Sequence, residues 1–253
     1  MGIFFCFHVG KCYFCQVFLL IVRRMTHLFL STLLQHLIDF DTSLFLTVNS
    51  YHNSFWDVFM PLYSGRYEWI FLYVSIFYII ARNYSWKHSL LMLLSAILVI
   101  IICDQVTSSL IRPFVGRLRP ANLENPISDS VHVVDGRRGG SYSFPSAHAA
   151  NSWGLAIYVC LIFRKKWISL CLIAWAAFNC YTRLYMGMHY FGDLLAGMLI
   201  GCFGAALVYY LIVHPFIHND QPEHIRDSYV PIVVFLLTIA VFIVISTVET
   251  LSS

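Results

Sequence analysis

Six stretches of this chain are almost wholly apolar: residues 67–82, 89–111, 146–163, 166–182, 190–213 and 229–249. A helix needs roughly 20 such residues to cross the hydrocarbon core of a bilayer, with some latitude for tilt. Composition points the same way. Of 253 residues, 59% are hydrophobic and 11% charged, where a soluble domain carries about 25% charge. The expected fold is all-α: a polytopic membrane helix bundle of about six core transmembrane helices plus an additional terminal helix, with the lipid bilayer as its solvent. Most connectors are short; the exceptions are the loop 112–145 and the proline-punctuated stretch 214–228.

The remaining composition excludes more than it proposes. A net charge of +3, spread over scattered loops, gives nucleic acid no basic face to bind. Cys103, Cys160, Cys171, Cys180 and Cys202 lie inside apolar runs and read as small hydrophobes. Cys12-x-x-Cys15 has no second pair at zinc spacing. Tyrosines and tryptophans near the span ends read as an interfacial belt. Gly197-x-x-x-Gly201, followed by Gly204, offers a face on which another helix can pack closely.

Four regions follow. Residues 1–25 are an extra N-terminal helix, a signal-like segment, or a leader ahead of a true start at Met25. Residues 26–65 mix apolar positions with Asp39, Asp41, Asn49, His52, Asn53 and Asp57, and are expected as amphipathic helices at an interface, because charge at a bilayer centre is expensive. Residues 66–213 form the core, and 214–253 a polar connector with a C-terminal transmembrane helix. The short basic loops 82–88 and 164–166 mark the cytoplasmic side, which places the loop 112–145 and the turn 183–189 on the opposite face.

Three polar clusters converge on that face. Arg112-Pro-Phe-Val-Gly-Arg-Leu-Arg119-Pro120 offers guanidinium groups that bind phosphate bidentately and stay charged; juxtamembrane anchoring to lipid head groups is the competing role. Ser143-Phe-Pro145-Ser146-Ala147-His148 opens a helix, whose free N–H groups and dipole form an anion site beside a histidine able to carry a proton. Arg183-Leu-Tyr-Met-Gly-Met-His189-Tyr-Phe-Gly-Asp193 sets a histidine and a carboxylate four apart, where on a helix they share a face and the carboxylate can fix the imidazole tautomer. Two histidines and Asp193 also offer zinc donors. The spacing is not His-Glu-x-x-His, and the arginines would repel a cation, so no metal or other cofactor is expected.

Together these clusters resemble the type-2 phosphatidic acid phosphatase superfamily, which includes the vanadium haloperoxidases. Its signature, Lys-x6-Arg-Pro, Pro-Ser-Gly-His and Ser-Arg-x5-His-x3-Asp, stands here as Arg112-x6-Arg119-Pro120, Pro145-Ser146-Ala147-His148 and Thr182-Arg183-x5-His189-x3-Asp193. Arg112, Ala147 and Thr182 replace lysine, glycine and serine, which keeps a charge, a backbone N–H and a hydroxyl. The resemblance covers about residues 66–213. It implies that His189 attacks phosphorus to form a phosphohistidine, that Asp193 orients it, and that His148 protonates the leaving group and later activates water. Arg112, Arg119 and Arg183, with the Ser146 hydroxyl and the Ala147 N–H, would hold the equatorial oxygens.

The expected activity is metal-independent hydrolysis of a lipid phosphate or diphosphate, with a bell-shaped pH–rate profile. The site would open outside the cytoplasmic membrane of a bacterium. Candidate substrates are undecaprenyl diphosphate, lipid A phosphates, phosphatidylglycerol phosphate and phosphatidic acid. In the entrance loop 121–144, Arg137 and Arg138 are placed to meet a second phosphate, or simply face solvent. The alternatives are a catalytically silent protein that binds or transports lipid phosphate, and a vanadate-holding haloperoxidase. The spanning helices speak against the latter, whose representatives are soluble. The oligomeric state is left open.

Overall fold

The apolar runs fold as helices whose ends fall within a few residues of those expected. The computed structural model describes residues 13–217 and 225–252. Residues 1–12, 218–224 and 253 lie outside the described residues, and with them the Cys12-x-x-Cys15 reading and much of the leader question. The described helices are α1 (Tyr13–Asn49), α2 (Ser54–Ser64), α3 (Ile70–Asn83), α4 (Trp86–Val115), α5 (Ala147–Phe163), α6 (Lys166–Tyr185), α7 (Phe191–Ile217) and α8 (Val230–Ser252). Among the described residues there is no strand, only an isolated antiparallel bridge between Leu118 and Tyr142 in the long loop.

The chain divides into two compact units, residues 1–43 and 44–253. Of the first, the described part is the leading portion of α1, one unbroken helix across the expected boundary at residue 25. The second unit holds everything that positions the candidate site.

Among the described residues, three helices are long and apolar enough to cross a membrane by themselves: α4, α7 and α8. Helices α3 and α5 are apolar but shorter, and α6 carries Asn179, Thr182 and Arg183 toward its end. Leu90, Leu94, Ile97 and Ile101 on α4, and Leu237, Val241, Val244 and Val248 on α8, are exposed. A surface so apolar is one that lipid covers, and the protein is integral to the membrane.

Helix α7 lies directly on α5 because two glycines permit it. A Cβ at Gly201 would stand 2.3 Å from the Ala150 carbonyl oxygen, and one at Gly197 2.3 Å from that of Ser146. The small-residue face read from the sequence is therefore a packing face, and it draws the start of α5 against the start of α7. Both α4 and α7 widen into π turns, at Gln105–Ile111 and Tyr209–Val213. The turn in α4 rephases the helix immediately before Arg112.

Helix α8 is stitched into the bundle rather than appended to it. Phe242 packs edge-on against Phe59, Tyr63 and Trp69, and so braces α2. At the end of the bundle away from the long loop, Arg164 donates to the Tyr209 hydroxyl (3.4 Å) and Arg82 pairs with Asp227 (3.7 Å).

Candidate active site

Helix α6 ends at Tyr185, and the chain turns through Gly187 before α7 begins at Phe191. Gly187 has φ +71°, and a Cβ there would stand 2.7 Å from Val131 Cγ1, so the turn admits glycine alone without strain. His189 consequently precedes the helix instead of riding on it, which corrects the expectation of a shared helical face. Asp193 reaches back from the first turn of α7. Its Oδ2 accepts the Tyr190 N–H at 2.9 Å, as a helix cap does, and stands 3.6 Å from His189 Nδ1. That is an ion-pair distance, longer than a hydrogen bond, and Nδ1 has no hydrogen-bond partner. Both side chains are buried, 3% and 0% exposed.

The second cluster is tied to the third through backbone. Ser146 caps α5, its hydroxyl oxygen accepting the Ala149 N–H at 3.4 Å, while its own N–H donates to the Asp193 carbonyl at 3.0 Å. Ala147, the first residue of α5, has ordinary helical conformation, so the missing glycine costs nothing there. His148 Nε2 donates to the Ser64 carbonyl at 3.1 Å, and Arg183 Nη1 donates to the Ser64 hydroxyl. Arg112 Nη2 donates to the Pro145 carbonyl at 2.9 Å, and Arg119 Nε to that of Tyr142 at 3.1 Å.

Two donors in this ring are buried with no partner, Arg112 Nε and Arg183 Nε. Unmet guanidinium N–H groups keep donor capacity that an anion can fill. Burial pushes the His189 imidazole down to about 4, against the pull of Asp193 and with the push of Arg119, so it is neutral at neutral pH. Burial and the charge of Arg112 bring Arg119 down to about 10, which leaves it a cation. Among the described residues, no three His, Cys, Asp or Glu side chains cluster as metal ligands.

Beside His148 a cavity of about 310 Å³ opens, polar at Ser64, Arg66 and His148 and apolar at Trp69, Ile100, Leu155 and Trp175.

Residues 89–217, which contain all three clusters, match the PAP2 superfamily. The chain belongs to that superfamily. It is 45% identical over 225 residues to the lipid A 4′-phosphatase of Bacteroides thetaiotaomicron, covering 86% of this chain and all of the relative. It is 31% identical to the lipid A 4′-phosphatase of Porphyromonas gingivalis, covering 70% of this chain and 74% of the relative. The crystal structure of Aquifex aeolicus LpxE superposes with a TM-score of 0.50 at 23% identity, over 67% of this chain and 94% of that one. That likeness is one of fold.

The PAP2 signature leaves out residues that the structure brings in. Arg117 Nη1 donates to Asp193 Oδ1 at 3.0 Å, and its guanidinium lies 3.7 Å over the Tyr190 ring. It sits two positions before Arg119, visible as a cation but inside the stretch the signature treats as spacer. Ser64, which holds both His148 and Arg183, lies ahead of the region of resemblance, and nothing in the sequence marks it. Arg137 and Arg138 are engaged elsewhere: Arg137 with Asp135 at 3.8 Å, and Arg138 with the Ala121 carbonyl at 2.8 Å.

Proposed function

We propose that this PAP2-superfamily protein removes a phosphate from lipid A, through a phosphohistidine at His189, on the outer face of a bacterial cytoplasmic membrane. That it is a lipid phosphatase follows from superfamily membership together with its identity to two lipid A 4′-phosphatases over most of its length; the proposal concerns substrate, intermediate and face. The observation that carries the chemistry is the neutral, buried His189 set beside Asp193 within the arginine ring. Its Nδ1 faces the carboxylate, so Nε2 is the atom that attacks phosphorus. The bond from phosphorus to the lipid oxygen breaks, and His148 hands that oxygen a proton. His148 then takes a proton from water, which hydrolyses the phosphohistidine. Arg112, Arg119 and Arg183 neutralise the equatorial oxygens, as phosphoryl transfer requires. Substrate choice rests on the two lipid A 4′-phosphatases that the chain matches along most of its length. The face rests on the basic loops 82–88 and 164–166.

The test is phosphate release by the purified protein in detergent with EDTA, from lipid A, undecaprenyl diphosphate, phosphatidylglycerol phosphate and phosphatidic acid. We expect lipid A to be preferred, and His189→Ala to lower release on the order of 10³-fold or more. A preference for another lipid overturns the substrate. Equal turnover by wild type and His189→Ala overturns the intermediate. In intact spheroplasts, an impermeant thiol reagent should label Ser141→Cys and spare Lys165→Cys; the reverse pattern overturns the face.

A further inference from the structure

Residue 117 joins the three clusters. It belongs to the first by sequence, and its carbonyl accepts the Ser143 N–H of the second at 2.8 Å. Its side chain serves the third: Nη1 donates to Asp193 Oδ1 at 3.0 Å, the arginine side chain 22% exposed and the carboxylate fully buried. The guanidinium lies 3.7 Å over the Tyr190 ring, a cation–π contact. That ring is itself held, edge to face by Phe45 and through its hydroxyl by Asn125 Nδ2 at 2.9 Å. The ring thus seats the guanidinium on the carboxylate.

The two carboxylate oxygens have separate duties. Oδ1 is given to Arg117, and Oδ2 faces His189 Nδ1 at 3.6 Å. When Nε2 bonds phosphorus the ring becomes an imidazolium, and its Nδ1 proton can stay or cross to Oδ2. For an isolated buried carboxylate–imidazolium pair the crossing is favoured, because it removes both charges. A guanidinium 3.0 Å from the other oxygen opposes it by stabilising the anion. The place of that proton decides the second half of the reaction. Water forms its bond to phosphorus while the bond from phosphorus to Nε2 breaks and returns its electron pair to Nε2. With Nδ1 still protonated, the ring leaves as neutral imidazole. Without that proton it must leave as imidazolate, a far poorer leaving group.

We infer that Arg117 is a positioning residue for hydrolysis of the phosphohistidine. By holding Asp193 as an anion it keeps the proton on His189 Nδ1, and so keeps the intermediate short-lived. The inference rests on the phosphohistidine reading and deepens it.

The experiment is rapid-quench turnover of whichever of the four lipid phosphates above wild type uses fastest, radiolabelled at phosphorus. Quenching in alkali preserves phosphohistidine, and mild acid then removes it. Wild type should release dephosphorylated lipid and phosphate in step, with little label on the protein. Arg117→Gln should release a burst of dephosphorylated lipid and retain acid-labile label on His189. Its steady turnover should fall on the order of tenfold, the factor that one unit of carboxylate basicity carries. Arg117→Lys, which restores the charge, should recover most of the rate and shed the label. Tyr190→Leu removes the ring under the guanidinium and keeps the N–H that caps Asp193, so it should act like Arg117→Gln to a smaller extent. Label at the wild-type level in the folded fraction of Arg117→Gln and of Tyr190→Leu, with or without a loss of rate, overturns the inference and leaves the function standing. Equal turnover by wild type and His189→Ala overturns the phosphohistidine itself.

Discussion

Two histidine–carboxylate pairs frame the end of α6, and they are built differently. His132 Nε2 meets Asp57 Oδ1 at 2.7 Å, and the Tyr185 hydroxyl donates to the same oxygen, also at 2.7 Å. The His52 ring stacks on His132 at 3.8 Å, and Asn49 bonds the His132 backbone in both directions, 2.7 and 3.1 Å. Every partner is close, and together they tie α1, α2, the long loop and α6. His189 and Asp193 stand 3.6 Å apart, fully buried. Their carboxylate is held by others, Arg117 and the Tyr190 N–H. The closed pair is a clasp, its hydrogen-bonding capacity spent on architecture. The open pair keeps a carboxylate rigid and lets the imidazole tighten onto it as charge develops, which suits a nucleophile.

Asp193→Asn strikes the open pair and should cost most. Loss of the carboxylate that sets an attacking histidine's tautomer is worth up to about 10⁴ in kcat, so single-turnover phosphate release should fall by roughly 10³ to 10⁴. The protein should still purify as a folded monodisperse species, because the amide oxygen can go on accepting the Tyr190 N–H. A loss within tenfold would mean that Asp193 is as architectural as Asp57.

The pH–rate profile sharpens the same contrast. His189 sits near 4, below its ordinary 6.5, so its neutral form, the one a nucleophile needs, persists as the medium is acidified. The acid limb of kcat/KM should lie near pH 4, and in Asp193→Asn lower still, since the carboxylate raises this histidine. The unfolded chain binds the proton first, between about 6.5 and 4. His189 therefore makes stability climb with pH through that window and fall as pH drops through it. An acid limb at 6.5 in wild type would place His189 in a wetter setting than the structure gives it.

Asp57→Asn should show the opposite balance. Thermal unfolding in detergent should register a loss of about 1–3 kcal/mol, the cost of weakening hydrogen bonds to a charged acceptor. Turnover per folded molecule should change by only a few-fold. If turnover collapsed while stability held, the clasp would belong to the chemistry.

Much of this was legible beforehand, for identifiable reasons. Helix positions follow from apolar runs that lipid demands, and the cap at Ser146 follows from proline and serine ahead of such a run. The three clusters were legible because each is local in sequence. Arg117 has no such local signal, because its role depends on Asp193, seventy-six positions away. The contacts of Ser64 and of Asp57 leave no mark in the sequence, because polar residues in an amphipathic stretch have no distinguishing pattern.

The sequence by itself thus determined a helical membrane protein with three polar clusters and a histidine–carboxylate pair. Local composition and spacing carry that information, since bilayer burial and charge act residue by residue. Only the tertiary structure decided that His189 stands off the helix, that Asp193 is pinned by Arg117, and that α2 supplies the contacts holding His148 and Arg183. It also decided that a cavity opens beside His148. Those facts depend on how distant segments pack, and packing is set by shape complementarity between helices, such as the approach that Gly197 and Gly201 allow.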